Sequence, residues 1–173
     1  MNSEVMLMRY SFCPHCGERL SPREIGDEGE VMFCSQCNIP VWDSFTTSVI
    51  GAVVTKDRQI ALLRQAYVST ASCVCVAGIM KPGENAEECM RREITEELGL
   101  RVKELSYVQS YYYERKDMLM LGFAALVDRE DFTLSGEVDN AGWYSLEDAP
   151  GQLREGGVAW QLVNAVLADF PFA

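Results

Sequence analysis

The sequence predicts an α/β fold, a mixed sheet sandwiched by helices, with a small cysteine-bound module ahead of it. Three observations carry this. Four cysteines fall as two C-x-x-C pairs within residues 1–43. Two helical patterns, at 86–98 and 158–169, each show an apolar stripe. Alternating or β-branched runs lie before, between and after those helices. At 173 residues the chain can hold one good core plus an appendage. Residues 1–43 are expected to form the cysteine module and residues 44–173 the α/β domain.

In the module, Cys13-Pro14-His15-Cys16 and Cys34-Ser35-Gln36-Cys37 form C-x2-C-x17-C-x2-C. Thiolates at this spacing make two knuckles that close a tetrahedral zinc site, here from Cys13, Cys16, Cys34 and Cys37. A closed site leaves no open coordination position, so the expected role of Zn²⁺ is structural. Disulfides or a redox C-x-x-C are the alternatives, and two paired knuckles favour zinc. His15 is a bystander, since four ligands are already supplied. Pro22, Gly26 and Gly29 mark the excursion between knuckles.

Beyond the module, Ser48–Val54 reads as a β-branched strand, turned by Lys56-Asp57-Arg58 into a second strand, Gln59–Arg64. Ser72–Ala77 is a third strand, leading into a loop at Gly78. The helix that follows starts at the N-cap Asn85, with Glu88 at the capping-box position, and stops at Gly99, a good left-handed terminator. Val102–Glu114 and Met118–Val127 read as strands joined at Arg115-Lys116-Asp117, and Trp143–Ser145 as a short strand. Val158–Asp169 is the second helix, with Val163, Val166 and Leu167 inward.

The first helix and its lead-in carry six glutamates. Like charges at i,i+3 and i,i+4 destabilise a helix by a few tenths of a kcal/mol each, so something outside it must offset them. At about 100° per residue, Glu93, Glu96 and Glu97 share one face, beside the apolar stripe Met90, Ile94 and Leu98. Arg92, four residues before Glu96, can hold it. Hard carboxylate oxygens suit Mg²⁺ or Mn²⁺, and Mg²⁺ usually bridges a few carboxylates to substrate phosphates. The competing reading is an ordinary solvated acidic face.

This segment resembles the Nudix box, G-x5-E-x7-R-E-U-x-E-E-x-G-U with U aliphatic. Gly78, Glu84, Arg92, Glu93, Ile94, Glu96, Glu97, Gly99 and Leu100 fill its fixed positions in order. The resemblance implies an α/β/α sandwich, Mg²⁺- or Mn²⁺-dependent hydrolysis of a nucleoside diphosphate linked to another group, and a homodimer. It implies that Glu93 and Glu97 are the principal metal ligands, with Glu96 a third ligand or a base acting through water. Glu84 supports the cluster through water or Arg92, and the carbonyl of Ala77 supplies a backbone ligand. Glu137, in a later loop, is the candidate for one more ligand; its alternative role is a solvated carboxylate.

A zinc ribbon directly ahead of such a domain is similar to the NADH pyrophosphatase group, some of whose members remove NAD caps from RNA. That group's signature is S-Q-P-W-P-F-P-x-S. The corresponding run here, Ser110 to Met118, keeps only the first serine, so the resemblance does not extend to strict NADH specificity. Tyr111 and Tyr113 share one face of a strand and could stack a purine or nicotinamide ring. Arg115 and Lys116 at the turn could meet a phosphate. The plainer account is that aromatic residues suit strands.

A net charge of −11 argues against long nucleic-acid tracks and leaves a small nucleotide as the partner. A nucleotide-sensing regulator is disfavoured by the complete set of box carboxylates; a cap-processing protein using the ribbon is a further alternative. Met1–Tyr10 carries Glu4 and no long apolar run, so no secretory signal is expected. Seven cysteines argue for a reducing compartment or metal use, hence a cytoplasmic location. Cys73, Cys75 and Cys89 read as buried small apolar residues.

Overall fold

A computed structural model describes residues 9–172. The opening segment, where no secretory signal is expected, lies outside the described residues as far as Met8. The chain divides into two compact units between Phe45 and Thr46.

The first unit is a three-stranded antiparallel sheet, β1 (Ser21–Glu24), β2 (Glu30–Cys34) and β3 (Ile39–Pro40), in that order. Its small core is Cys13, Leu20, Cys34 and Val41. So few apolar residues bury little surface, and the unit needs a cross-link of some kind.

The second unit is a six-stranded mixed sheet between two helices. Its strands are β4 (Thr46–Val54), β5 (Gln59–Arg64), β6 (Val76–Ile79), β7 (Glu104–Tyr113), β8 (Met118–Leu126) and β9 (Asn140–Ser145). They run in the order β7-β8-β4-β5-β9, with β6 also paired to β4. Only β4 and β8 are parallel. β4 is central and buried on both faces from Ser48 to Val54, which is why it reads as a nearly unbroken apolar run. Helix α1 (Ala86–Leu98) covers one face, packing Met90, Ile94 and Leu98 against Val49, Val53 and Phe123. Helix α2 (Val158–Ala168) covers the other with Leu162, Val163 and Val166. Cys73, Cys75 and Cys89 are all buried.

Two expectations are corrected. The third strand begins at Val76 rather than Ser72: residues 73 and 74 make only isolated bridges, to Leu153 and Leu63. Gly78 is therefore inside β6, paired with Val49, rather than in a loop. The last strand also runs further back than Trp143, to Asn140.

Candidate functional site

The carboxylates are held by α1, whose limits follow from its caps. Asn85 Oδ1 accepts from Glu88 N at 2.8 Å, and Glu88 Oε2 accepts from Asn85 N at 3.1 Å, the full capping box. Gly99 ends the helix at φ 71°. The loop 129–139 then straps the helix C-terminus, where Thr133 N donates to the Leu98 carbonyl at 2.9 Å and Ser135 N to that of Glu97 at 3.4 Å.

Arg92 is the hub. Its guanidinium donates to both oxygens of Glu84, at 2.7 and 2.9 Å, and through Nη1 to Glu93 at 2.5 Å and Glu96 at 3.0 Å. The bidentate Arg92 contact holds the Glu84 carboxyl down at about 2. Arg92 itself is pushed further up by the same contact. Glu93 lies flat against β6. A Cβ at position 78 would sit 1.9 Å from its carboxyl carbon, so only glycine admits that carboxylate. Ala77 is the neighbouring residue, paired with Ile50.

Glu97 is buried, at 4% exposure. One oxygen accepts from Gln65 Nε2 at 2.9 Å; the other has no partner among the described residues. Burial, with the charges of Glu93, Glu137 and Glu96 adding to it, raises this carboxyl to about 7. Burial also raises Glu93, against the pull of Arg92. A buried carboxylate oxygen left bare is costly unless a cation or donor meets it, and hard oxygens suit Mg²⁺ or Mn²⁺. The donor set therefore fits a divalent cation. Arg92 bonds both Glu93 and Glu96 and so keeps their carboxylates on the side of the helix that carries Glu97.

The four-cysteine cluster is already gathered. Sγ atoms of Cys13 and Cys37 are 4.0 Å apart, those of Cys16 and Cys34 3.5 Å, and all four lie within 4.8 Å of one another. Tetrahedral Zn–S bonds of about 2.3 Å require sulfurs about 3.8 Å apart, whereas a disulfide needs about 2.05 Å. The cluster fits a structural zinc, and its four cysteines are free thiols. Each knuckle ends in a left-handed residue after its second cysteine, Gly17 at φ 77° and Asn38 at φ 56°. His15 is exposed.

The tyrosine segment is not brought to the carboxylates as expected. Tyr111 is a core residue: its ring lies over Gly122, 2.7 Å from where a Cβ would be, and packs with Leu162 of α2. Tyr113 packs half-buried against the same core. That is the sheet face opposite α1, so Tyr111 is unavailable for stacking. Arg115 and Lys116 are exposed in a 3-10 turn. This turn is at the same end of the sheet as Gly78, since Thr46 N donates to Asp117 O and Met80 N to Thr47 O. Glu137 is an exposed loop residue whose charge reaches Glu97.

Two residues at the site escape sequence reasoning. Gln65, just past β5, is buried and holds Glu97. Tyr67, two residues on, is exposed beside the acidic cluster; burial of its hydroxyl and then the charges of Glu97, Glu137, Glu93 and Asp139 raise it. A polar residue directly after an apolar strand and level with the box was the available signal for Gln65. None distinguished Tyr67.

A mixed sheet clasped by two helices, with an arginine-pinned glutamate cluster on one of them, defines the class. Residues 45–163 match the NUDIX domain, and the chain belongs to the Nudix family. It is 32% identical over 158 residues to the NAD-capped RNA hydrolase NudC of Pseudomonas aeruginosa, covering 91% of this chain and 55% of that protein. The chain thus spans about half the length of the curated relatives it matches. Among solved structures, a NUDIX hydrolase from Nitrosomonas europaea superposes with a TM-score of 0.67 at 18% identity, over 91% of this chain and 88% of that one. The NUDIX domain of Shewanella oneidensis NrtR, complexed with ADP ribose, superposes with a TM-score of 0.64 at 12% identity, over 80% and 94%. Among the described residues no helix is long and apolar enough to cross a membrane.

Proposed function

We propose that the protein hydrolyses a nucleoside diphosphate linked to another moiety, using Mg²⁺ or Mn²⁺, on a dinucleotide such as NAD(H) or an ADP-ribose-type compound. The observation that carries this reading is the buried Glu97 carboxylate, one oxygen held by Gln65 and the other bare, among Glu93, Glu96 and Glu137. We take residues 1–43 as a ribbon stabilised by zinc and residues 44–173 as the hydrolase domain.

Glu93, Glu97, the Ala77 carbonyl and Glu137 would hold the cation, leaving Glu96 for the proton. When bound, it would neutralise diphosphate charge and acidify a water. Arg92, kept cationic by Glu84, orients Glu93 and Glu96. The water oxygen bonds to phosphorus, the bridging P–O bond breaks, and two phosphate-bearing products leave. The proton from water goes to a carboxylate, because the chain's one histidine, His15, belongs to the ribbon. Glu96, half-exposed at 52%, is the carboxylate we assign to it. Arg115 and Lys116, at the same end of the sheet as Gly78, are the substrate contacts this reading retains.

The test is a chromatographic screen of NADH, NAD⁺, ADP-ribose, FAD, dinucleoside polyphosphates and nucleoside triphosphates with either metal. Release of mononucleotides from a dinucleotide is the expected result; no turnover of any of them would overturn the reading. The name of the Pseudomonas relative favours a second reading, removal of an NAD cap from RNA. With a net charge of −11, contact would be confined to the capped end. An NAD-capped oligonucleotide turned over faster than NADH would select it.

A further inference from the structure

We infer that Tyr67 is a specificity-determining residue, a platform on which the ring of a nucleotide flanking the diphosphate stacks; this rests on the reading above. The ring is 71% exposed, the most exposed large apolar surface among the described residues. It is nonetheless firmly placed. Val68 N and Ser69 N both donate to the Gln65 carbonyl at 2.9 Å, closing a tight turn around it. Ala66 N donates to Asp139 Oδ2 at 2.6 Å, tying the turn to the start of β9. Ser69 Oγ accepts from Ser72 N at 3.1 Å and Ala71 N at 3.3 Å, which fixes the far side.

The turn is also fixed to the reacting centre. Gln65, which opens it, is buried and bonded to Glu97. Tyr67 is therefore two residues from the side chain that holds the buried carboxylate. The phenol lies within electrostatic reach of Glu97, Glu137, Glu93 and Asp139. Burial and then those negative charges raise the phenol, so it is neutral, and a neutral ring accepts a heterocycle without adding charge beside a diphosphate. No aromatic ring of this chain packs on it among the described residues. A bare ring on a hydrogen-bonded turn suits stacking, since the backbone that carries it is already ordered. With Tyr111 buried, it is the aromatic surface left beside the carboxylates.

The test compares Tyr67→Ala and Tyr67→Phe with the wild type by two measurements. One is hydrolysis of NADH with Mg²⁺; the other is equilibrium binding of AMP by calorimetry. Stacking is worth about 1–3 kcal/mol per base, so Tyr67→Ala should raise KM for NADH and Kd for AMP roughly 5- to 150-fold, with the loss in KM rather than kcat. Tyr67→Phe should keep both within about twofold of the wild type. If Tyr67→Ala leaves both constants unchanged, the platform is refuted. It is equally refuted if Tyr67→Phe is as damaged as Tyr67→Ala, because the hydroxyl would then be the contact. If the wild type does not turn over NADH, the hydrolase reading fails for that substrate, while the AMP comparison still decides the role of Tyr67.

Discussion

The two proposed ligand sets of this chain are built in opposite ways. The cysteine set comes from two knuckles separated in sequence, and its sulfurs lie within 4.8 Å of one another. The glutamate set comes from adjacent turns of one helix, and an arginine stands among its members. The first is soft, complete and closed, as a structural site must be. The second is hard and open, an oxygen set of the kind that would share a cation with a substrate phosphate. A site made to hold can be finished by the protein alone; a site made to react is left for its ligand to finish.

The largest effect that probes this contrast is in the ribbon. Cys34→Ser should bring zinc well below one per chain by elemental analysis and unfold the small unit, since structural zinc contributes about 10–16 kcal/mol in comparable modules. Unchanged zinc stoichiometry would break the comparison at its closed end. At the open end, Glu97→Gln should lower turnover about 10²- to 10³-fold while zinc content and circular dichroism persist. Full activity in that variant would remove Glu97 from the assigned cation set.

A smaller effect is set by pH. The Glu97 carboxyl titrates near 7 in the folded chain against an ordinary value of 4.5. The folded state thus binds an extra proton between these values, and stability falls as pH rises through that window, being lost by about pH 7. The contribution is at most about 3 kcal/mol. A cation replaces the proton, so Mg²⁺ should raise the melting temperature more at pH 8 than at pH 5.5. Equal shifts by scanning calorimetry at both pH values would sink this account. Glu84 behaves oppositely: its carboxyl, held near 2, favours folding above about 4.5, and that favour fades as pH falls toward 2. The smallest effect is expected at Tyr111, whose buried hydroxyl has no well-formed hydrogen bond among the described residues. Tyr111→Phe should change stability by no more than about 1 kcal/mol, in the stabilising direction, with KM for NADH unmoved; a rise in KM would return Tyr111 to the substrate site.

What could be read from the sequence was local. The limits of α1 follow from Asn85, Glu88 and Gly99, and the cysteine quartet from its spacing. The alternation of Tyr111 and Tyr113 gave their shared face but not their depth. Depth depends on Gly122 in β8, which leaves room for the ring and is invisible from β7 alone. Gly78 has the same logic: its need for glycine comes from Glu93, fifteen residues later, pressing on the strand. Gln65 lies 32 residues before Glu97 and reaches it, with Tyr67 close behind, because β5 ends where α1 places that carboxylate.

The strap over the end of α1 has a consequence for amide exchange. Residues 129–139 have no strand or helix, so their amides would ordinarily exchange with solvent deuterium within the shortest labelling time. Thr133 N, however, is spent on the last turn of the helix, with Ser135 N bonded more weakly beside it. Thr133 should therefore exchange more slowly than the loop amides that lack such a bond, and only as often as the helix end frays. Its label would then report, from outside the carboxylate cluster, how tightly the helix carrying that cluster is held.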